Sequence, residues 1–176
     1  NERLLTEGTY WTYGPDPDLH RAIAAYEALV ARDSSNQAAL NNVSTLYGRV
    51  GDRKQGIATL ERATRVPRPF GGAFTNLVQA YLSIGDTAGA ERTMEAFKRR
   101  LPSNTTHWYG DVMVAAVHGR LDSASAIAER AYREARSGAQ RDQSSFMAGA
   151  VAFTKGKPSE GLRWFSLGNV AALQSG

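Results

Sequence analysis

The chain has 176 residues, of which 42% are hydrophobic and 9% aromatic, which is enough apolar material for the interior of one ordinary domain. It contains no cysteine, and this excludes disulfides, thiolate metal ligands and thiol nucleophiles. The 21 basic and 17 acidic residues give a net charge of +4 spread along the chain, without the polybasic block that is typical of nucleic-acid binding.

A first helix pair is predicted over residues 3–36. Tyr13 and Ala22 precede Tyr47 and Gly56 by 34 residues, so they begin a pattern that becomes clear in the following units. This first unit departs from the pattern at Pro17, which stands where a turn glycine is expected.

The next two units, 37–70 and 71–104, repeat each other closely. The segment LNNVSTLYGRVGD begins at Leu40, and FTNLVQAYLSIGD begins 34 residues later at Phe74. At 100° per residue the apolar positions of each segment, among them Val50 and Ile84, fall within an arc of about 120°. Each segment therefore predicts a helix with one apolar face.

A Gly-Asp turn follows each of these helices and leads into a second apolar periodicity. Glycine in the turn permits a positive φ, and the aspartate can cap the next helix. The second helices predicted in this way carry Ile57, Leu60 and Ala63 in one unit and Ala90, Met94 and Phe97 in the next.

Two further units are predicted over 105–138 and 139–176. Trp108, Gly119 and Ala124 continue the period in the first of them. The last is degenerate, because FTKGKPSEGLRWF matches the turn and second helix when about three extra residues precede it.

This spacing, with an aromatic residue before a Gly-Asp turn and small residues at the helix crossings, resembles the tetratricopeptide repeat family. The resemblance implies an all-α fold: a right-handed superhelix of antiparallel helix pairs with about ten helices and no strands, forming a single domain over 1–176. The chain also resembles repeats appended to bacterial serine/threonine kinases and regulators. It is therefore expected to be a sensory or partner-docking region of a larger bacterial signalling protein.

The family resemblance also implies a binding groove, because first helices line the concave surface in this family. Amides on that face can pair with both N–H and C=O groups of an extended peptide. Asn42 and Asn76 are the expected backbone clamps. Their polar neighbours are Asn41, Thr45, Arg49 and Gln79, and the expected apolar contacts are Tyr109 and Met113. The alternatives are a solvated face for the amides and a core position for the strip formed by Tyr109, Met113 and Val117.

No motif for catalysis, phosphate binding or metal binding is present, so neither enzyme activity nor a cofactor is predicted. Arg65, Arg99 and Arg133 lie one period apart on the second helices. They could meet an acidic partner or nucleic acid, but the glutamates between them favour a solvated face, and no nucleic acid is expected as a partner.

The predicted function is therefore a scaffold that binds a protein or peptide partner. The runner-up is self-association, as a homodimer, through the apolar C-terminal helix GLRWFSLGNVAALQ, which begins at Gly161. No stretch has the eighteen apolar residues of a membrane span, so no membrane insertion is predicted within the chain. A cytoplasmic location is favoured, with an extracytoplasmic one if a membrane span precedes the chain in a longer protein.

Overall fold

The computed structural model describes the backbone of residues 1–173 and the side chains of residues 1–168. This part of the chain contains ten α-helices and no strand, which confirms the all-α prediction. The helices are α1 (Glu2–Tyr13), α2 (Leu19–Arg32), α3 (Gln37–Arg49), α4 (Arg53–Arg65), α5 (Gly71–Ser83), α6 (Thr87–Arg100), α7 (His107–Val117), α8 (Leu121–Glu134), α9 (Gly138–Thr154) and α10 (Pro158–Leu173). Within the described residues, no helix is both long enough and apolar enough to cross a membrane.

Glycines with a left-handed backbone end four of the first helices. Gly51, Gly85 and Gly119 have φ values of +87°, +78° and +71°, as predicted for the turn position of each unit. Gly156 has φ +73° and lies three residues beyond the place that a strict period would give. The extra residues predicted for the last unit are therefore accommodated before its turn.

Aspartates begin the second helices as predicted. The carboxylate of Asp52 accepts a hydrogen bond of 3.1 Å from the backbone N–H of Gln55. Asp86 accepts one of 2.7 Å from Gly89 in the next unit. Each bond satisfies an N–H group that has no partner within its helix.

Internal contacts divide the chain into two compact units that are each larger than one helix pair. Asn1–Gly85 is called the first unit from here on, and Asp86–Gly176 the second unit. The buried core of the first unit is built by α1 to α5 and includes Tyr26, Leu29, Leu40, Val43, Leu46 and Ala73. The core of the second unit comes from α7, α8 and α9 and includes Val112, Ala115, Ala124, Ala128, Met147 and Val151. The single domain over 1–176 stays a prediction.

The last residue of each predicted apolar arc lies outside the core. Val50 and Ile84 are 37% and 50% exposed. Both follow the last helical residue and occupy the C-cap position, so the helical projection that placed them on the buried face no longer applies to them.

A repeated tyrosine–carboxylate contact joins neighbouring helix pairs within Asn1–Gly85. The hydroxyl of Tyr47 on α3 donates to Glu27 on α2, and the hydroxyl of Tyr81 on α5 donates to Glu61 on α4. Burial and the bond to Glu27 raise the pKa of Tyr47 to about 12. These contacts fix α3 against α2 and α5 against α4. The helices α3 and α5 form the walls of the site described next.

Candidate peptide-binding site

A pocket of about 460 Å³ lies between α3, α4 and α5 in the first unit. The residues that line this α3–α5 pocket are Ser44, Thr45, Gly48, Arg49, Arg53, Gly56, Ile57, Leu60, Asn76, Gln79, Ala80 and Ser83. Its volume lies within the range of about 300–1,000 Å³ that is usual for ligand sites.

The α3 wall combines satisfied hydroxyls with a glycine that faces open space. The hydroxyls of Ser44 and Thr45 donate to the carbonyl oxygen of Asn41, at 2.7 and 3.1 Å. A Cβ atom added at Gly48 would meet no atom within 4 Å. Glycine inside a helix costs about 0.5–1 kcal/mol relative to alanine, and no neighbour of Gly48 requires it.

The floor comes from α4, where a second glycine has a packing role. A Cβ atom at Gly56 would lie 3.2 Å from the carbonyl oxygen of Ser44, so α4 approaches α3 closely at this point. Leu60 is buried and Ile57 is half-buried, and both line the pocket. Close packing of the two helices thus places an apolar surface at the bottom of the pocket.

The α5 wall is fixed to α3 by an amide pair. The Nδ2 group of Asn76 donates a hydrogen bond of 2.7 Å to Oδ1 of Asn41. This bond orients Asn76 at the pocket and leaves its Oδ1 and one N–H to bind another group. Gln79, one turn further along α5, is exposed and also lines the pocket.

The structure thus brings together most of the residues predicted on the amide-rich face. Four of them line one pocket: Thr45, Arg49, Asn76 and Gln79. Asn41 contacts Asn76 directly. Asn42, predicted as the partner clamp of Asn76, is half-buried on α3, seven residues before Arg49 and roughly 10 Å from it along the helix axis.

Sequence reasoning missed the contribution of α4 to this site. Arg53, Ile57 and Leu60 line the pocket, yet they belong to a second helix, which the groove prediction did not consider. The signal that could have found the site was Gly48, a helix-disfavouring residue on the polar side of a predicted amphipathic helix.

The predicted apolar contacts lie in the second unit. Tyr109 and Met113 on α7 are half-buried and pack against the core cluster that contains Val112. The ring of Tyr109 also meets Trp108 edge to face at 5.6 Å. These contacts support the alternative that the strip belongs to the core, although Val117 at its end is 47% exposed.

Two polar residues, Asp111 within α7 and His118 at its C-cap, contact α6. Asp111 accepts a hydrogen bond of 2.7 Å from the Nζ group of Lys98. The Nε2 atom of His118 lies 2.7 Å from Oε1 of Glu91. Both residues therefore join α7 and its C-terminal turn to α6 by polar contacts.

The arginines on the second helices each pair with a glutamate one turn earlier. The three pairs are Arg65 with Glu61 at 3.1 Å, Arg99 with Glu95 at 3.6 Å and Arg133 with Glu129 at 3.9 Å. Each of the three arginines thus has a carboxylate beside it on its own helix, which supports a solvated face. Among the described residues, no group of three or more His, Cys, Asp or Glu side chains could hold a metal ion.

Solved structures of tetratricopeptide repeat proteins match most of the chain at low sequence identity. The thermophilic protein TTC0263 of Thermus thermophilus is 16% identical with a TM-score of 0.72, and the match covers 94% of this chain and 88% of that one. MamA is 19% identical with a TM-score of 0.60, covering 97% and 90%. YrrB, a tetratricopeptide repeat protein with an unusual peptide-binding site, is 20% identical with a TM-score of 0.51, covering 87% and 77%.

At such identities the likeness shows the fold, and it confirms the predicted tetratricopeptide-type arrangement of helix pairs. At the level of sequence, no family model and no curated protein matches the chain.

Proposed function

We propose that this chain is a protein-interaction module whose first unit binds an extended peptide or partner segment along α3 and α5. The observation that carries the proposal is the amide pair of Asn41 and Asn76 at the edge of a pocket with an apolar floor. The pair holds Asn76 with one acceptor and one donor unused. An extended peptide offers the complementary backbone C=O and N–H groups.

Asn42 extends the proposed path beyond the pocket. It lies on the same face of α3 as Arg49, two turns earlier, so a peptide that leaves the pocket along α3 would pass it. The peptide-binding site of YrrB, a protein of the same fold, is consistent with this kind of function. The proposal involves no catalytic step and no cofactor, and the larger signalling protein expected around the chain stays a prediction.

The test is a peptide-display selection against the purified chain and against an Asn42→Ala, Asn76→Ala double variant whose helix content has been checked by circular dichroism. Peptides that the parent captures and the double variant loses would support the proposal. The matched control is Gln55→Ala, which removes an exposed amide on α4 outside the α3–α5 pocket and should leave capture unchanged. Equal capture by the parent and the double variant would refute binding along this face.

Self-association is a second candidate, and a cluster of phenyl rings in the second unit favours it. The ring of Phe165 stacks on Phe146 at 5.7 Å and on Phe153 at 5.6 Å. Phe146 is 58% exposed and Phe153 42% exposed, so the cluster presents an apolar surface. The side chains of Val170 and Leu173, predicted to belong to the same apolar surface, lie outside the described residues.

Sedimentation over a range of concentrations tests this second candidate. A mass that rises with concentration in the parent, and no longer rises in Phe146→Ser, would support a dimer through the phenyl cluster. Val117→Ser, at another exposed apolar residue of the second unit, is the control. A monomer mass at all concentrations would exclude this candidate.

A further inference from the structure

Two arginines without an acidic partner stand at the turn end of the α3–α5 pocket. Arg49 is the last residue of α3 and Arg53 the first of α4, and both are exposed and line the pocket. Neither makes an ion pair with any side chain of residues 1–168. Two guanidinium groups at one end of a pocket favour a ligand that carries negative charge there.

The acidic groups near these arginines do not neutralise the pocket. Its lining, which lies within the fully described range 44–83, contains no Asp or Glu. Asp52 lies between the two arginines in the chain, and its carboxylate caps α4 through the N–H of Gln55. The C-terminus of α3 and the N-terminus of α4 meet at this turn with partial charges of opposite sign, so two guanidinium groups against the one carboxylate of Asp52 leave the turn end of the pocket cationic.

The rest of the pocket is shaped for an aliphatic group. Ile57, Leu60 and Ala80 supply apolar atoms, and Gly48 leaves the α3 wall open where any other residue would project a side chain. No packing contact explains the glycine, because a Cβ atom there meets nothing within 4 Å. A ligand side chain that enters beside α3 would use this opening.

We propose that the α3–α5 pocket selects acidic peptides: an aliphatic side chain of an extended peptide enters beside Gly48, and a neighbouring Asp or Glu pairs with Arg49 and Arg53. This inference rests on the proposed peptide-binding function and names the ligand chemistry of the same site. Asn76, held by Asn41, and Gln79 contact the peptide backbone. The forked donors of arginine match the geometry of a carboxylate, which a point charge does not.

The experiment compares three libraries of extended nonapeptides by fluorescence polarisation with the full chain. In the first, a central Leu, Ile or Val is flanked by Glu; in the second, Gln replaces Glu; in the third, Ala replaces the aliphatic residue. We expect the first library to bind best. The loss on changing Glu to Gln should lie between about threefold and twentyfold, because exposed ion pairs contribute modestly. It should shrink as salt is raised.

Variants locate the effect in the pocket. The Arg49→Gln, Arg53→Gln double variant should bind the Glu and Gln libraries equally. The matched control is Arg32→Gln, Arg68→Gln, which removes the same charge from exposed positions of the same unit outside the pocket. Gly48→Leu should fill the pocket and abolish binding of all three libraries. Circular dichroism and thermal unfolding are used to check that each variant is folded.

The outcomes separate this inference from the function on which it rests. Equal binding of the Glu and Gln libraries, both abolished by Gly48→Leu, would overturn acidic selectivity and leave peptide binding in the pocket standing. Undiminished binding of the Ala library would overturn the role of the aliphatic side chain. Absence of binding to all libraries, or binding that Gly48→Leu leaves unchanged, would overturn the pocket as a peptide site and the inference with it.

Discussion

Two glycines three residues apart should respond to the same substitution in opposite directions. Gly48 lies within α3 and Gly51 in the turn that follows, and an added Cβ atom meets nothing within 4 Å at either position. Steric clashes are therefore excluded for both, and the difference between the two alanine variants reports backbone conformation alone. This makes the pair an internal control for the assigned helix end.

The expected magnitudes follow from the two conformations. Gly48→Ala should stabilise the chain by about 0.5–1 kcal/mol, because alanine loses less conformational freedom in a helix. At Gly51 φ is +87°, a region that costs an L-residue about 1–2 kcal/mol. The lower entropy of the unfolded alanine variant offsets about 0.4–1 kcal/mol of that cost. The net effect of Gly51→Ala is then a loss of up to about 1.6 kcal/mol, with a central value of about 0.8 kcal/mol.

Urea unfolding followed by circular dichroism measures both variants against the parent. With a slope of about 1–3 kcal/mol per molar urea, the two midpoints should separate by several tenths of a molar or more. Gly85→Ala, at φ +78°, should behave like Gly51→Ala. A shift of Gly48→Ala and Gly51→Ala in the same direction would refute the assignment of one glycine to the helix and the other to a left-handed turn.

Three further predictions concern polar contacts. Tyr47→Phe should lose about 0.5–1 kcal/mol at neutral pH. Because the pKa of Tyr47 is raised to about 12, its contribution should be complete below its ordinary pKa of 10.0 and disappear as pH rises through about 12; an absorbance titration lacking a tyrosine that ionises this late would contradict it. Asp52→Ala should cost about 1 kcal/mol in urea unfolding through loss of the α4 cap, and an unchanged midpoint would argue against the cap. The Lys155 ammonium, 2.6 Å from Asp122, holds the pKa of that carboxyl below its usual value. The pair should therefore stabilise the chain at pH values above the usual pKa of the carboxyl and lose its effect as pH falls through the lowered pKa. A carboxyl NMR titration should show the pKa of Asp122 rising in Lys155→Gln.

The helix pairs were predictable because each depends on local chemistry that recurs every 34 residues. A glycine must supply the positive φ of the turn, and an aspartate must cap the next helix, so Gly51 with Asp52 and Gly85 with Asp86 mark the helix boundaries directly. These residues act within a few positions of themselves. No knowledge of how the units pack was needed to place them.

The contacts of the site could not be read from the same period. Equivalent positions such as Asn42 and Asn76 share a phase, but the side chain of Asn76 donates its hydrogen bond to Asn41, one residue away from the repeat position. The contact depends on how α5 is offset against α3, and this offset is a property of packing rather than of either helix alone. The tyrosine–glutamate contacts span 20 residues, because each joins the first helix of one helix pair to the second helix of the pair before it.

Gly48 is informative because no contact within its own helix pair accounts for a glycine at this position. Most residues of α3 can be assigned to the core, to the amide pair or to an ordinary polar surface, whereas Gly48 is an exposed glycine that no packing contact requires and that lowers the stability of its own helix. Replacement by alanine should stabilise the protein, and replacement by leucine should fill the α3–α5 pocket. A residue that lowers stability while keeping a pocket open between two arginines and an apolar floor is expected where a ligand approaches the backbone. If Gly48→Ala raises stability and weakens peptide binding together, the glycine is explained by the ligand; if it raises stability without any effect on binding, the pocket has no role in recognition at this position.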